Sequence, residues 1–286
     1  MPQARAMTRE AVILGGLVAL AGCPRSPADE RPPRPTASAP ALAPAPTTAA
    51  PTPAATASTK GLEDEAGACP EDMVEVAGDH CTELAVRCLE KRKRRQCAVY
   101  AEPTKCVGDE VPMHYCMDRF EHPNDEGALP RVMIKYTEAK ASCEARGRRL
   151  CTEDEWTLAC EGPARTPYPY GYTRDAEACP IDKPSPLVNE RRLFNPRTQA
   201  AELERLDQRD PSGTYERCRS AFGVYDLTGS VDEWVDNPSG KPYVSSLKGG
   251  NWGEYRNACR PVTRGHGPGF YYYQIGFRCC LDLPAP

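Results

Sequence analysis

Fifteen cysteines and four histidines stand among the 286 residues. Their chemistry depends on whether the sulfurs are thiolates, which attack and bind metals, or disulfides, which do neither. No Cys-x-x-Cys pair occurs, and His80, His114, His122 and His266 are never four residues apart, so the usual spacing of zinc ligands is missing. A Gly-x-Ser-x-Gly elbow for serine hydrolysis is absent as well. With Cys23 set aside, fourteen cysteines remain between Cys69 and Cys280, an even number that allows seven disulfides. Cys279 and Cys280 are adjacent. On a strand their side chains point to opposite faces, so each needs its own partner.

Two helices are expected to carry cysteines into the core. The first starts at a Thr137 cap, bears Cys143 and stops at Gly147. The second opens with Thr152-Glu153-Asp154-Glu155, a capping box, and ends at Gly162. Trp156, Ala159 and Cys160 then share one apolar face. Short segments punctuated by Gly and Pro elsewhere indicate strands and long loops, hence an irregular, loop-rich α+β domain stapled by disulfides. A net charge of -4 and a pI near 5.7 give no basic face for nucleic acid, which is excluded as a partner.

The cysteine count suits an oxidising, extracytoplasmic compartment, and the N-terminus agrees. Arg5 and Arg9 precede an apolar run over 11–20, followed by Ala21, Gly22 and Cys23. This is the anatomy of a signal peptide, and the run is too short for the ~20 residues of a membrane span. Leu20-Ala21-Gly22-Cys23 resembles the lipobox of bacterial lipoproteins, which implies cleavage after residue 22 and lipid on Cys23. Pro24 in place of Asp favours the outer membrane. Residues 23–60 are rich in Pro, Ala, Thr and Ser, with ten prolines from Pro24 onward, and read as an extended tether. The folded domain is expected over 61–286.

Four blocks in that domain resemble the formylglycine-generating enzyme (sulfatase-modifying factor) family, whose fold is C-type-lectin-like. Met73-Val74-Glu75-Val76 and Tyr115-Cys116-Met117-Asp118-Arg119-Phe120-Glu121 form the first. Arg149-Leu150-Cys151-Thr152-Glu153-Asp154-Glu155-Trp156 is similar to RLPTEAEW, and Gly223 to Trp234 to GLYDMxGNVWEW. Leu247-Lys248-Gly249-Gly250-Asn251-Trp252 and Gly276-Phe277-Arg278-Cys279 match the GGSW and GFRC ends. The resemblance implies disulfides Cys143–Cys279 and Cys160–Cys259. Cys151, at a family proline, pairs with Cys280 on this reading, and Cys179 with Cys218; the pairing of Cys69, Cys81, Cys88, Cys97, Cys106 and Cys116 stays open.

Family enzymes oxidise a substrate cysteine at copper held by two thiolates that follow the GGS block. No cysteine lies here between Gly250 and Cys259, and Cys259 falls on a structural position. Asn251 replaces the serine and Asp232 the first tryptophan of the WEW block. Copper is therefore not expected, and a non-catalytic binding or scaffold module is favoured over an oxidase of sulfatase-type cysteine motifs. The resemblance also implies a structural Ca²⁺, with side-chain oxygens from Asp226 and Glu233 and carbonyls from Gly229 and Val231.

For binding, Trp252, Tyr255, Arg256, Arg264, His266 and Tyr271 are the candidates, in a C-terminal region that also holds Phe270, Tyr272, Tyr273 and Arg260. Aromatic and arginine side chains anchor recognition surfaces, although strand aromatics also simply fill cores. The partner would be a protein or a glycan. The basic run Lys91 to Arg95 either meets anionic glycans or lipid headgroups or is a solvated loop. Intact-mass analysis of the mature protein is expected to find an N-terminal Cys23 carrying acyl chains; an unmodified Cys23, or a chain beginning elsewhere, would remove the tethering expectation.

Overall fold

The structure, a computed structural model, describes residues 68–92 and 96–283, all within the unit Leu62–Pro286. The signal segment, Cys23, the tether and the middle of the basic run lie outside the described residues. None of the described helices is long and apolar enough to cross a membrane.

The N-terminal strand β1 (Met73–Cys81) pairs antiparallel with β6 (Glu110–Asp118). Between them come four short strands. β2 (Leu84–Ala85) pairs with β5 (Lys105–Cys106), and β3 (Cys88–Lys91) with β4 (Cys97–Tyr100). The first sheet runs β1-β6-β12-β7, with β7 at Arg149–Leu150 and β12 at Cys279–Asp282. The second runs β10-β9-β8-β11 through Val262–Thr263, Ser245–Lys248, Asp232–Asp236 and Ile275–Phe277. Only β8 and β11 run parallel. Period-two alternation buries Val74 and Val76 of β1 and leaves Glu75 between them exposed.

Four helices are short: α1 (Tyr136–Glu144), α2 (Glu153–Glu161), α3 (Glu190–Leu193) and α4 (Gln199–Leu206). α1 begins one residue before Thr137, so the expected cap is corrected. Lys135 occupies the cap, and the Glu138 carboxylate accepts its backbone N–H at 3.1 Å. Tyr136 is drawn inward, with its hydroxyl donating to Asp236 at 2.6 Å, which places Thr137 inside the first turn. The helix stops at Glu144, three residues before Gly147, whose φ of 68° completes the turn back to the sheet.

α2 matches its capping box: Thr152 accepts from Glu155 N–H at 3.2 Å, and Glu155 accepts from Thr152 N–H at 2.8 Å. Its burial is wider than one face. Beyond Trp156, Ala159 and Cys160, the acids Glu153, Glu155 and Glu161 are also buried. Each has an arginine: Arg264 and Arg260, from a distant segment, for Glu153 and for Glu161 at 2.5 Å, and Arg149 of the preceding β7 for Glu155 at 2.6 Å. A carboxylate removed from water needs such a partner. Lys248, also buried, donates from Nζ to Arg260 O at 3.1 Å and lies 5.2 Å from the Trp156 ring.

All fourteen cysteines among the described residues are in disulfides. The structure forms Cys143–Cys279 and Cys160–Cys259, the pairs implied by the resemblance, and Cys151–Cys280 and Cys179–Cys218, the two expected among the added cysteines. Cys69–Cys116, Cys81–Cys106 and Cys88–Cys97 complete the set. Cys279 and Cys280 have separate partners, one Cys143 of α1 and the other Cys151, just before the α2 cap Thr152.

Burial pushes the Lys248 amine down to about 7, against the pull of Glu161 and Glu153. Between pH 7 and the ordinary lysine value of 10.5 the unfolded chain holds a proton that the folded chain has lost, so stability rises with pH over this window. Urea unfolding is expected to show that rise in the parent protein and a shallower one in Lys248→Met. Equal slopes would contradict it.

Candidate functional site

Gly249 and Gly250 turn the chain out of β9 into the loop over 251–258, the segment after the GGS-like block. Gly250 has φ 71°, and a Cβ there would stand 2.9 Å from Asn257 N and closer still to the Tyr255 carbonyl. Only glycine fits. The loop then closes on itself. Asn257 Nδ2 donates to Asn251 O at 2.5 Å, and Gly253 N to Asn251 Oδ1 at 2.9 Å.

Neighbouring segments fasten it from outside. Trp252 N donates to Ser230 O at 3.0 Å, Lys183 N to Trp252 O at 2.8 Å, and Cys259 N to Pro167 O at 2.9 Å. Arg174 joins Asn257 Oδ1 to the Asp182 carboxylate, each at 2.8 Å. Beneath the loop Asp232 is 3% exposed. Its Oδ1 accepts from Gly250 N at 3.1 Å and its Oδ2 from Arg256 Nη2 at 2.6 Å. Burial raises the Asp232 carboxyl and the Arg256 guanidinium draws it back down. Arg256 reaches this position from a backbone φ of 57°.

A cleft of about 430 Å³ opens beside the loop, lined by Tyr100, Tyr168, Arg174, Tyr255 and Arg256. The hairpin β3–β4, stapled by Cys88–Cys97, forms its other wall. Gln96 Nε2 donates to Glu254 O, and Arg92 pairs with Asp182 at 2.5 Å. A soft-metal site needs thiolates. Every cysteine among the described residues is oxidised, so the donor set around this loop does not fit copper.

The four candidate calcium positions lie around a buried charge cluster. Glu233 accepts from Arg278 Nε at 2.7 Å and Nη2 at 2.8 Å, and from Trp156 Nε1 at 3.0 Å. Asp226 Oδ2 accepts from Gly213 N at 2.8 Å. Glu121, absent from the sequence expectation as a site residue, accepts from Ser230 Oγ at 3.0 Å and from Val231 N–H at 3.2 Å. Three buried carboxylates thus face one guanidinium. Burial, with neighbouring carboxylates adding, pushes Glu121 well above the usual range; burial lifts Asp226 to about 6. Among the described residues no three His, Cys, Asp or Glu side chains converge as a metal-binding group. The excess of carboxylates nevertheless fits a hard cation in charge, since ligating carboxylates also accept outer hydrogen bonds.

The binding candidates separate. Trp252 is 1% exposed and packs with Leu193, Leu206, Val231 and Tyr273, so it belongs to the core and is withdrawn as a surface contact. Arg256 is held by Asp232 and Arg264 by Glu153. Tyr255 is 45% exposed at the cleft. His266 and Tyr271 belong to an aromatic row on the surface. His266 stacks on Phe270 at 3.9 Å, Phe270 on Tyr272 at 6.1 Å, and Phe194 meets Tyr272 at 6.3 Å and Tyr271 edge-on at 5.5 Å. Phe194 escaped sequence reasoning because it lies more than seventy positions upstream.

Residues 82–283 match the family described as the sulfatase-modifying factor enzyme 1-like domain. The chain belongs to this family. Relatives named "Inactive C-alpha-formylglycine-generating enzyme 2" are 30% identical over 176 residues in Mus musculus and 29% identical over 170 residues in Bos taurus. These alignments cover 55% of this chain and 51% and 52% of the relatives, so the chain spans about half their length. Similar solved structures include CarF, with 16% identity, 75% of this chain and 99% of that one covered, and a TM-score of 0.47. PvdO from Pseudomonas aeruginosa has 18% identity, coverages of 76% and 97%, and a TM-score of 0.46.

Within this sulfatase-modifying-factor domain, the Asp232 departure was visible in sequence, but its partner Arg256 was not. Nothing in local spacing links positions 24 apart. Arg256→Ala strands a buried carboxylate. A loss of roughly 2 kcal/mol is expected, below the full cost of breaking a buried pair because Arg256 reaches water. Asp232→Asn with Arg256→Ala should recover part of it, and urea unfolding of the single and double variants measures the coupling.

Proposed function

We propose that this protein is a lipid-tethered, non-catalytic binding module of the cell envelope, built on a sulfatase-modifying-factor domain. The observation that carries the non-catalytic part is sulfur chemistry: the loop over 251–258 contains no cysteine, and every described cysteine is locked in a disulfide. Without a free thiolate pair there is no soft site for Cu(I). The relatives named inactive support the same reading. Anchorage rests on Cys23 and its lipobox, and an outer-membrane position on Pro24.

The partner surface in this reading is the aromatic row that includes His266, Phe270, Tyr271 and Phe194. Rigid rings provide contact area at low entropic cost. Lys135 Nζ lies 5.5 Å from the Tyr271 ring and adds a cation at one end. A protein or a glycan fits such a surface. The alternative, oxidation of a sulfatase-type cysteine, requires a thiolate pair. Incubated with copper, oxygen and a CxPxR-type peptide, the protein is expected to leave the peptide thiol intact. Appearance of the aldehyde in the peptide mass spectrum would overturn the non-catalytic reading.

We also propose a structural Ca²⁺ held by Asp226 and Glu233 with the carbonyls of Gly229 and Val231. It would relieve the surplus of buried carboxylates; calcium takes oxygen ligands of this kind. An ion that binds only the folded state raises the melting temperature with the logarithm of its concentration over Kd. EGTA-stripped protein is expected to melt at higher temperature on addition of millimolar calcium, and Asp226→Asn should blunt the response. An unchanged melting temperature in the parent would leave Arg278 as the sole counter-charge.

A further inference from the structure

A second, wider cleft shares only Arg174 with the one beside the loop and includes none of the aromatic row. About 1200 Å³ in volume, it is walled by the turn near Thr104, the segment after α2, residues 170–175 and residues 216–219. This exceeds the ~300–1,000 Å³ typical of pockets for single small ligands, which suits a chain of linked units.

The walls combine donors and acceptors. Arg217 and Arg219 face the cleft together with Glu102 and Glu216. Arg217 is steadied by Asp175 at 2.8 Å. Arg219 lies 5.6 Å from the Tyr225 ring, and Gly223 opposite it leaves the room: a Cβ there would stand 3.1 Å from Nη2. Among the described residues Arg219 has no carboxylate partner, so its donors are held in place and unspent. Arg165, a further lining residue, has a buried Nε without an acceptor.

Two tyrosines supply flat apolar faces. The Tyr172 hydroxyl donates to Ala164 O at 3.2 Å, and the Tyr170 hydroxyl accepts from Asp175 N at 3.2 Å. Both polar tips are occupied, so the rings are fixed and what they leave to the cleft is apolar ring surface, with one face of Tyr170 already covered. Tyr170 also stacks on Tyr168 at 5.3 Å.

We infer that this cleft binds a neutral oligosaccharide. A hydroxyl both donates and accepts, and a wall presenting guanidinium and carboxylate groups together satisfies both capacities. Pyranose rings present C–H faces to fixed aromatic rings. A polyanion is disfavoured: Arg165, Arg174 and Arg217 of the walls are already paired with Glu110, Asp182 and Asp175, which leaves Arg219 facing the two carboxylates Glu102 and Glu216. The inference does not rest on the aromatic row or on the absence of oxidase activity.

The full-length chain, titrated calorimetrically with chitotetraose, cellotetraose, mannotetraose and the acidic tetragalacturonate, tests it. One of the neutral sugars is expected to bind with Kd below about 1 mM. Its affinity should change by less than about two-fold between about 0.05 and about 0.5 M NaCl, since hydroxyl contacts carry no net charge. Arg219→Ala and Glu216→Gln, both at exposed positions, should each weaken binding about ten-fold, with the melting temperature unmoved. Absence of binding by all three neutral sugars overturns the inference. So does preferential, salt-sensitive binding of tetragalacturonate, or binding that survives both substitutions.

Discussion

Arg278 is wholly removed from water, and the domain is arranged around that fact. An unpaired guanidinium in such a place would cost several kcal/mol. Its two-pronged bond to Glu233 joins the link between β11 and β12 to β8, while its remaining donors reach the carbonyls of Asp118, Arg119 and Tyr225. Trp156 adds α2 to the same carboxylate. One cation therefore holds both sheets, a helix and the turn before β8 in register. Glu121 and Asp226 share that interior without arginines of their own, which makes this centre electrostatically tense as well as well connected.

The same logic recurs at the edge of the centre. Glu153 and Glu161 of α2 meet arginines from a segment distant in sequence, Glu155 meets Arg149 of the neighbouring β7, and Asp232 meets Arg256 in the loop that follows the paired glycines. In a domain with short strands and long connections, these ion pairs and seven disulfides take over work that extended sheets and thick hydrophobic cores perform elsewhere. The loop over 251–258 illustrates the outcome. With no cysteine in it, the segment is closed on itself by hydrogen bonds from Asn257 and Gly253 to Asn251, and Gly250 ties it to Asp232 beneath.

Features governed by local chemistry were legible in the sequence. The capping box at Thr152 and the opposed directions of Cys279 and Cys280 follow from hydrogen-bonding preference and strand periodicity. Two disulfides, Cys143–Cys279 and Cys160–Cys259, followed from family resemblance rather than from spacing. The α1 cap was misplaced because Tyr136 is pulled into the core by a bond to Asp236, a hundred residues away. Trp252 looked like a surface anchor for a similar reason: Leu193 and Leu206, which cover it, come from α3 and α4, whose packing no local pattern announces. The hairpin β3–β4 and the wide cleft by residues 216–219 depend on contacts of the same long-range kind.

Cys69 is joined to Cys116 in β6, one strand inward from the edge strand β1. β1 pairs with β6 alone, so a chain pulled from its N-terminal side would otherwise unzip it, one hydrogen-bonded pair after another. The covalent link sits ahead of β1 in the chain. Tension arriving at Cys69 passes through sulfur into the middle of the sheet, and the edge strand carries almost none of it. The domain is thus held like a plate bolted behind its rim, and its outermost strand is spared the load that its position would otherwise give it.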